Sequence, residues 1–177
     1  SSDQNIAEIL SLLAQSYAKV GMSSDADYFF DRLFSEHQDS VYSKWGYIYK
    51  GDMANDSGGE KEAFKYYTKA LYSTKNIDVA VNASYRIANL KLAISNKEAA
   101  KYIYKIIKAK PSFFVQHLEN ATKMMETFRD VGNYEAASAM AKTIFNELNP
   151  SYDDYEVMLK NTALWLSKTK HKKEAIK

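Results

Sequence analysis

Small and apolar residues return along this chain in a helical rhythm, not a strand one. In the stretch VGNYEAASAMAKTIFNELNP, Ala137, Ala141, Ile144 and Leu148 stand at three- and four-residue intervals and share one helix face. Ahead of them Gly132 and Asn133 can stop one helix and cap the next, and Pro150 closes the stretch. The same frame, a small residue with partners four and seven positions later, occurs at Ala99, Ile103 and Ile106. It occurs again at Ala63, Tyr67 and Ala70, and at Ala26, Phe30 and Leu33. A fifth start appears at Ala175. The anchor alanines stand 37, 36, 38 and 38 residues apart. Chance supplies one such frame in a helical protein; four at near-constant spacing define an internal repeat.

Each unit reads as two helices joined by a short turn. The first pair is expected over 3–20 and 24–37, with Gly21 as C-cap and the serines of GMSSD as N-caps. The second is expected over 40–50 and 60–74, separated by GDMANDSGGE, a turn about five residues longer than its counterparts, with Ser57 and Glu60 at capping-box spacing. The third covers 78–94 and 96–108, with Ser95 and Glu98 repeating that spacing, and KAKPS ends it. The fourth covers 113–131 and 134–148. A fifth first helix covers 153–168, and a truncated partner starts at Lys172. The units thus span about 3–38, 40–75, 78–111, 112–150 and 153–177, and no segment shows a competing strand period.

An anchor alanine lets the two helices of a unit approach closely, while the residues four and seven positions on fill the gap to the next unit. One helical hairpin cannot bury that face alone, so units stack on their neighbours. The expectation is an all-α solenoid of about four and a half hairpins running through residues 1–177 as a single array.

Composition agrees with helices: there are only 2 prolines and 6 glycines. The formal charge of +2 comes from 24 basic and 22 acidic residues, intermixed, which gives no electrostatic case for nucleic acid or an anionic membrane surface. With 0 cysteines, disulfides, thiolate metal sites and cysteine nucleophiles are excluded. No apolar run approaches the roughly 20 residues of a membrane span. The sequence opens SSDQ without an initiator methionine and closes KKEAIK where the frame begins another helix, so a segment of a longer protein is expected.

GNYEAA, with Ala141, Ile144 and Pro150 downstream, resembles the second half of a tetratricopeptide repeat. LAQSYAKVG resembles the first half through Leu13, Ala14, Tyr17 and Gly21, and YSKWGYIY offers Tyr42, Trp45, Gly46 and Tyr49. The third unit fits through Ile87 and Ala88 if its turn is one residue short, and the fourth offers Met124, Met125 and Phe128. The period exceeds the family's 34 residues, so the resemblance is to a divergent array. It implies a right-handed superhelix, a scaffolding or peptide-binding role, no catalysis and no cofactor. More loosely, the cysteine-free composition rich in Lys, Asn and Tyr resembles periplasmic repeat scaffolds of bacterial machines, such as those around flagellar motors; that resemblance favours the periplasm over the cytoplasm.

In that family the first helix of each unit lines the groove. Carried over residue by residue, the resemblance implies Glu8, Gln15 and Lys19, then Tyr47 and Lys50. Asn82, Tyr85, Arg86 and Asn89 follow, then Glu119, Glu126 and Arg129. Such side chains can hydrogen-bond an extended peptide or clasp a helix of another repeat protein. A clamp for a chaperone's C-terminal carboxylate is not expected, because Tyr85 stands where a lysine is wanted beside Asn89 and Glu119 is acidic. Among the 14 tyrosines, Tyr17, Tyr49 and Tyr67 read as core, whereas Tyr47 reads as pointing off the packed face toward a partner.

Asp52, Asn55, Asp56 and Glu60 suggest a calcium loop, but Ala54 and the short spacing break the EF-hand pattern. His37, His117 and His171 form no zinc pair. Asp25, Asp27 and Asp31 read as a capped, solvated helix start. No nucleophile elbow or phosphate-binding glycine loop is present. The leading expectation is a non-enzymatic protein–protein interaction scaffold without metal. The alternatives are an RNA-reading helical-repeat module and the non-catalytic repeat arm of a larger enzyme.

Overall fold

The computed structural model describes residues 2–148, 151 and 155–168, and helix is the only regular structure among them. Ten helices follow one another: α1 (Ser2–Lys19), α2 (Ser23–Glu36), α3 (Val41–Asp56), α4 (Glu60–Ser73), α5 (Ile77–Leu92), α6 (Asn96–Ala109), α7 (Phe113–Gln116), α8 (Leu118–Asp130), α9 (Tyr134–Glu147) and α10 (Tyr155–Ser167). Ala175, Pro150 and the start expected at Lys172 lie outside the described residues. The chain groups into two compact units, Ser1–Ile87 and Ala88–Lys177, which divide within α5. In the first, α1 pairs with α2 and α3 with α4, and α3 also lies on α2 and α1. In the second, α9 packs on α6, α7, α8 and α10.

The anchor frame is the core. Ala26, Ala63, Ala99 and Ala137 are each 0% exposed, and Phe30, Leu33, Tyr67, Ala70, Ile103, Ile106, Ala141 and Ile144 are buried with them. Burying each larger side chain of that set contributes about 1.5–3 kcal/mol. The alanines matter for what they lack: with only a methyl group, the partner helix comes close without a gap.

Three of the four turns are built alike. Gly21, Gly58 and Gly132 have φ of 77°, 81° and 78°, and each stands five residues ahead of its buried alanine. In each, the glycine N–H and the following N–H donate back into the preceding helix: Gly21 to Ala18 and Met22 to Tyr17, Gly58 to Asn55 and Gly59 to Ala54, Gly132 to Arg129 and Asn133 to Phe128. This is the Schellman arrangement, and its left-handed residue is why glycine is needed. The third turn has no glycine. Ile94 and Ser95 both donate to the Lys91 carbonyl instead; the helices are separated as in the other turns, but Ala88 stands one residue nearer Ala99 than Ala14 stands to Ala26, the shortening that the fit of Ile87 and Ala88 requires.

The second hairpin differs from its expected form. α3 does not stop at Lys50 but runs on through Gly51, Asp52, Met53, Ala54, Asn55 and Asp56. No turn of extra length exists; the glycine that ends the helix is Gly58, seven residues after Gly51. Gly51 stays helical because the Tyr67 ring lies against it: a Cβ there would stand 2.5 Å from a ring carbon. Packing against α4 therefore outweighs the ~1 kcal/mol that glycine costs in a helix interior. The corrected register makes Gly51 the counterpart of Ala14, Tyr47 of Leu10 and Ile48 of Ser11, all buried. It also removes Tyr42, Trp45, Gly46 and Tyr49 from the positions matched to Leu13, Ala14, Tyr17 and Gly21.

Smaller departures concern ends and breaks. Ser57 caps the C-terminus of α3, its hydroxyl donating to Met53 O, and Gly59 precedes α4 with no side-chain cap. Met22, not a serine, precedes α2. Ser95 does accept from the Glu98 N–H, and Asn133 from the Ala136 N–H. The expected helix over 113–131 is broken at His117, whose ring lies 4.7 Å from that of Phe113.

Candidate groove on the first two first helices

Within the first unit, the C-terminal halves of α1 and α3 face a groove of about 510 Å³. Gln15, Ala18 and Lys19 of α1, Gly21 of the turn, Ser23 at the start of α2, and Tyr49, Asp52, Met53, Asp56 and Ser57 line it. Helix spacing explains the set. On α3, Asp52 and Met53 stand three and four residues after Tyr49 and four and three before Asp56, so the four share a face. On α1, Gln15 and Lys19 are four apart and occupy the same register as Asp52 and Asp56, 37 residues on. One wall thus carries an amide and an ammonium, the other two carboxylates, and Tyr49 and Met53 supply apolar surface between them.

Asp52 joins the groove to the interior. Its Oδ1 accepts from Tyr67 Oη at 2.7 Å and from Arg86 Nε at 2.7 Å, and its Oδ2 accepts from Arg86 Nη2 at 3.0 Å. Arg86 Nη1 also donates to Asn82 Oδ1 at 3.2 Å, and Asn82 Nδ2 donates to the Asp78 carbonyl at 2.9 Å. Three helices, α3, α4 and α5, meet at this bidentate carboxylate–guanidinium pair, a geometry arginine's planar fork favours. Burial, reinforced by the hydrogen bond to Asp52 and its charge, pushes the Tyr67 phenol far above its usual pKa. Burial likewise raises Tyr49.

The residues singled out from sequence separate into distinct places. Gln15 and Lys19 line the groove; Gln15 Nε2 donates to Ser11 O and Oγ at 3.2 and 3.1 Å. Asn82 and Arg86 form the node beside it. Tyr47 does not point outward: it is 5% exposed, stacked on Phe34 at 4.2 Å between ring centroids, with the Lys69 ammonium over its other face at 4.5 Å. The five-residue slip in register caused that error. Tyr85 is 8% exposed and is likewise core, in register with Ser11 and Ile48. Lys50 faces α2 instead, between Asp27 at 3.3 Å and Asp31 at 3.2 Å. Burial acts to lower its pKa, but the hydrogen bond to Asp31 and the nearby charges of Tyr66, Asp27 and Asp31 outweigh it and hold the ammonium above the ordinary lysine value. Asp27 and Asp31 are therefore more than a solvated helix start.

Glu8, Asn89 and Glu126 are exposed. Arg129 donates to Asp130 at 2.8 Å with its guanidinium 5.9 Å from the Trp165 ring, and Glu119 pairs with Lys123 at 2.7 Å. Gln15, Asp52, Asn89 and Glu126 occupy one register position on successive first helices. Asp52 is the member that sequence reasoning missed, and the signal that could have found it is Gly58, five residues ahead of Ala63. Asp52, Asn55 and Asp56 are helical, so the ligand loop considered for calcium does not form. Among the described residues no group of side chains could hold a metal ion, and no helix is long and apolar enough to cross a membrane. The chain matches no protein-family model. A search of curated proteins gives no significant match.

Proposed function

We propose that this chain is a non-enzymatic interaction scaffold of the tetratricopeptide kind, a right-handed superhelix of about four and a half hairpins through residues 1–177. It binds a protein partner along the first-helix groove. What carries the reading is the recurrence of one local design: a left-handed glycine, a fully buried alanine five residues later, and apolar partners four and seven beyond. The groove supports the binding role because Lys19 and Asp56 put opposite charges at equivalent positions on its two walls, which suits an extended segment bearing both an acidic and a basic side chain. Its carboxylates, Asp52 and Asp56, speak against a phosphate backbone as the occupant. A periplasmic assembly of the flagellar-motor kind is the setting this reading carries over from composition.

The test reverses the exposed rim. Lys19→Glu with Asp56→Lys leaves the core and the Asp52–Arg86 pair untouched, so the thermal midpoint should hold within a few degrees. A photocrosslinker at Ser23, on the groove's edge, should capture a protein in cells, and the double reversal should reduce that capture at least tenfold. Equal capture by the reversed chain would remove the groove from the interaction.

A further inference from the structure

α1 and α3 share a register, and α3 shows how a first helix receives the second helix of the hairpin before it. Ser43 Oγ donates to the carbonyls of Leu33 and His37 at 2.9 and 2.6 Å. Gly46 faces α2 so closely that a Cβ would stand 2.9 Å from the Phe34 ring and 3.0 Å from Leu33. Lys50 pairs with Asp27 and Asp31. Thirty-seven residues earlier the same three positions are Ile6, Ile9 and Leu13. Ile6 is 45% exposed and Ile9 55%, with Leu12 at 56% along the same side of the helix and Val20 at 70% just past its end. Isolated exposed apolar residues are ordinary, but a strip along a whole helix marks an interaction face.

The strip also states what would fit it. Where α3 has no side chain at Gly46, α1 has a β-branched one at Ile9, so the volume of Phe34 has no place opposite. Where α3 carries a cation, α1 has Leu13, so acids equivalent to Asp27 and Asp31 would be desolvated without a partner. We propose that the outward face of α1 is a stacking face for the second helix of a further hairpin of this repeat kind, joined ahead of α1 as α2 is joined ahead of α3. That helix presents small, uncharged residues opposite Ile9 and Leu13. The inference rests on the α2–α3 contact and stands whether or not the groove binds a partner.

The chain contains 0 cysteines, so Ile6→Cys, which leaves Ile9 and Leu13 in place, supplies a sole thiol whose maleimide reaction rate reports its cover. A copy of residues 2–38 is joined directly ahead of Ser2, preserving the 37-residue spacing, in two forms. One keeps the α2 sequence; the other carries Phe34→Ala, Asp27→Ala and Asp31→Ala within the copy. The second form should slow labelling at least tenfold relative to the chain without the copy, and the first should slow it less. A third protein keeps the native copy and rebuilds α1 in the image of α3, with Ile6→Ser, Ile9→Gly and Leu13→Lys. It should melt at least 5 °C above the same triple variant without the copy, which guards against a copied hairpin weakened by its own substitutions. Unchanged labelling in the second form together with an unchanged midpoint in the third would overturn the proposal. So would sedimentation showing that the chain alone dimerises through Ile9, which would make a second copy the occupant.

Discussion

Gly51 and Gly58 stand seven residues apart in one stretch and serve opposite ends. Gly58 has φ of 81° with open space where a Cβ would go, so its backbone demands glycine and its surroundings do not. Gly51 sits inside α3, where any residue could adopt the dihedrals, but the Tyr67 ring occupies the Cβ position. One glycine ends a helix and the other lets a helix continue under a neighbour. The residue type alone does not distinguish them; distance to the buried alanine does, because Gly58 precedes Ala63 by the interval at which Gly21 precedes Ala26 and Gly132 precedes Ala137.

The sharpest way to break this contrast is at Gly51. If packing holds it, Gly51→Leu should lower stability by about 3 kcal/mol through overpacking against Tyr67, measured by urea unfolding. Gly51→Ala should still cost about 1–2 kcal/mol despite better helix propensity. An alanine variant more stable than the parent would mean Tyr67 moves aside freely, and that Gly51 serves no purpose in the hairpin.

The next effect comes from the carboxylate one residue on. Asp52→Ala leaves the half-buried Arg86 guanidinium and the Tyr67 hydroxyl without their shared acceptor. It should cost about 1–2 kcal/mol, reduced from the fully buried case because the pair is partly solvated. Pairing it with Arg86→Met should recover part of the loss, a coupling that a double-mutant cycle reads directly. Additive losses would show that Asp52 acts on Tyr67 alone.

How far the fold could be read in advance follows from these residues. The alanine frame announced the core because small residues at fixed spacing have one packing solution, and all four anchors within the described residues are buried. The register of the second unit could not be read from Gly51, since a stop and a close contact leave the same letter in the sequence. Tyr47 was misplaced for that reason, and Asp52 passed as a loop residue. Lys50 escaped for another cause: its partners, Asp27 and Asp31, lie on the second helix of the preceding hairpin, and charge at helical spacing does not tell which neighbour it meets. Gln15 and Lys19 were legible because α1 runs as expected through both and Gly21 marks its end.

At Gly58 the cost is set by the backbone alone. Gly58→Ala should lose about 1 kcal/mol, and Gly21→Ala and Gly132→Ala should match it, since all three hold the same left-handed conformation with nothing near the Cβ. Circular dichroism melts of the three single variants measure this. A single Gly58→Ala that cost as much as Gly51→Leu would place an unseen contact over the turn. Introducing glycine at Ile94 should bring no gain, because the third turn has no left-handed position for it to fill.

The smallest effect tests the Tyr67 hydroxyl, and it appears as a change with pH. The folded state holds this phenol protonated well above the ordinary tyrosine value of 10.0, while the unfolded chain returns it to that value. A pKa raised on folding means a contribution fully present below about pH 10 and lost as pH climbs toward the folded value, because the unfolded state releases the proton first. Tyr67→Phe should therefore be less stable than the parent by about 1 kcal/mol at pH 7, and the gap should narrow as pH rises above 10. Titration of lysines and of the other tyrosines is common to both proteins and cancels in the difference. A gap that stayed constant from pH 7 to pH 11 would show that Tyr67 ionises alike in both states. The hydroxyl's contribution to the junction of α3, α4 and α5 would then be independent of its ionisation, and burial beside Asp52 would not be what holds its proton.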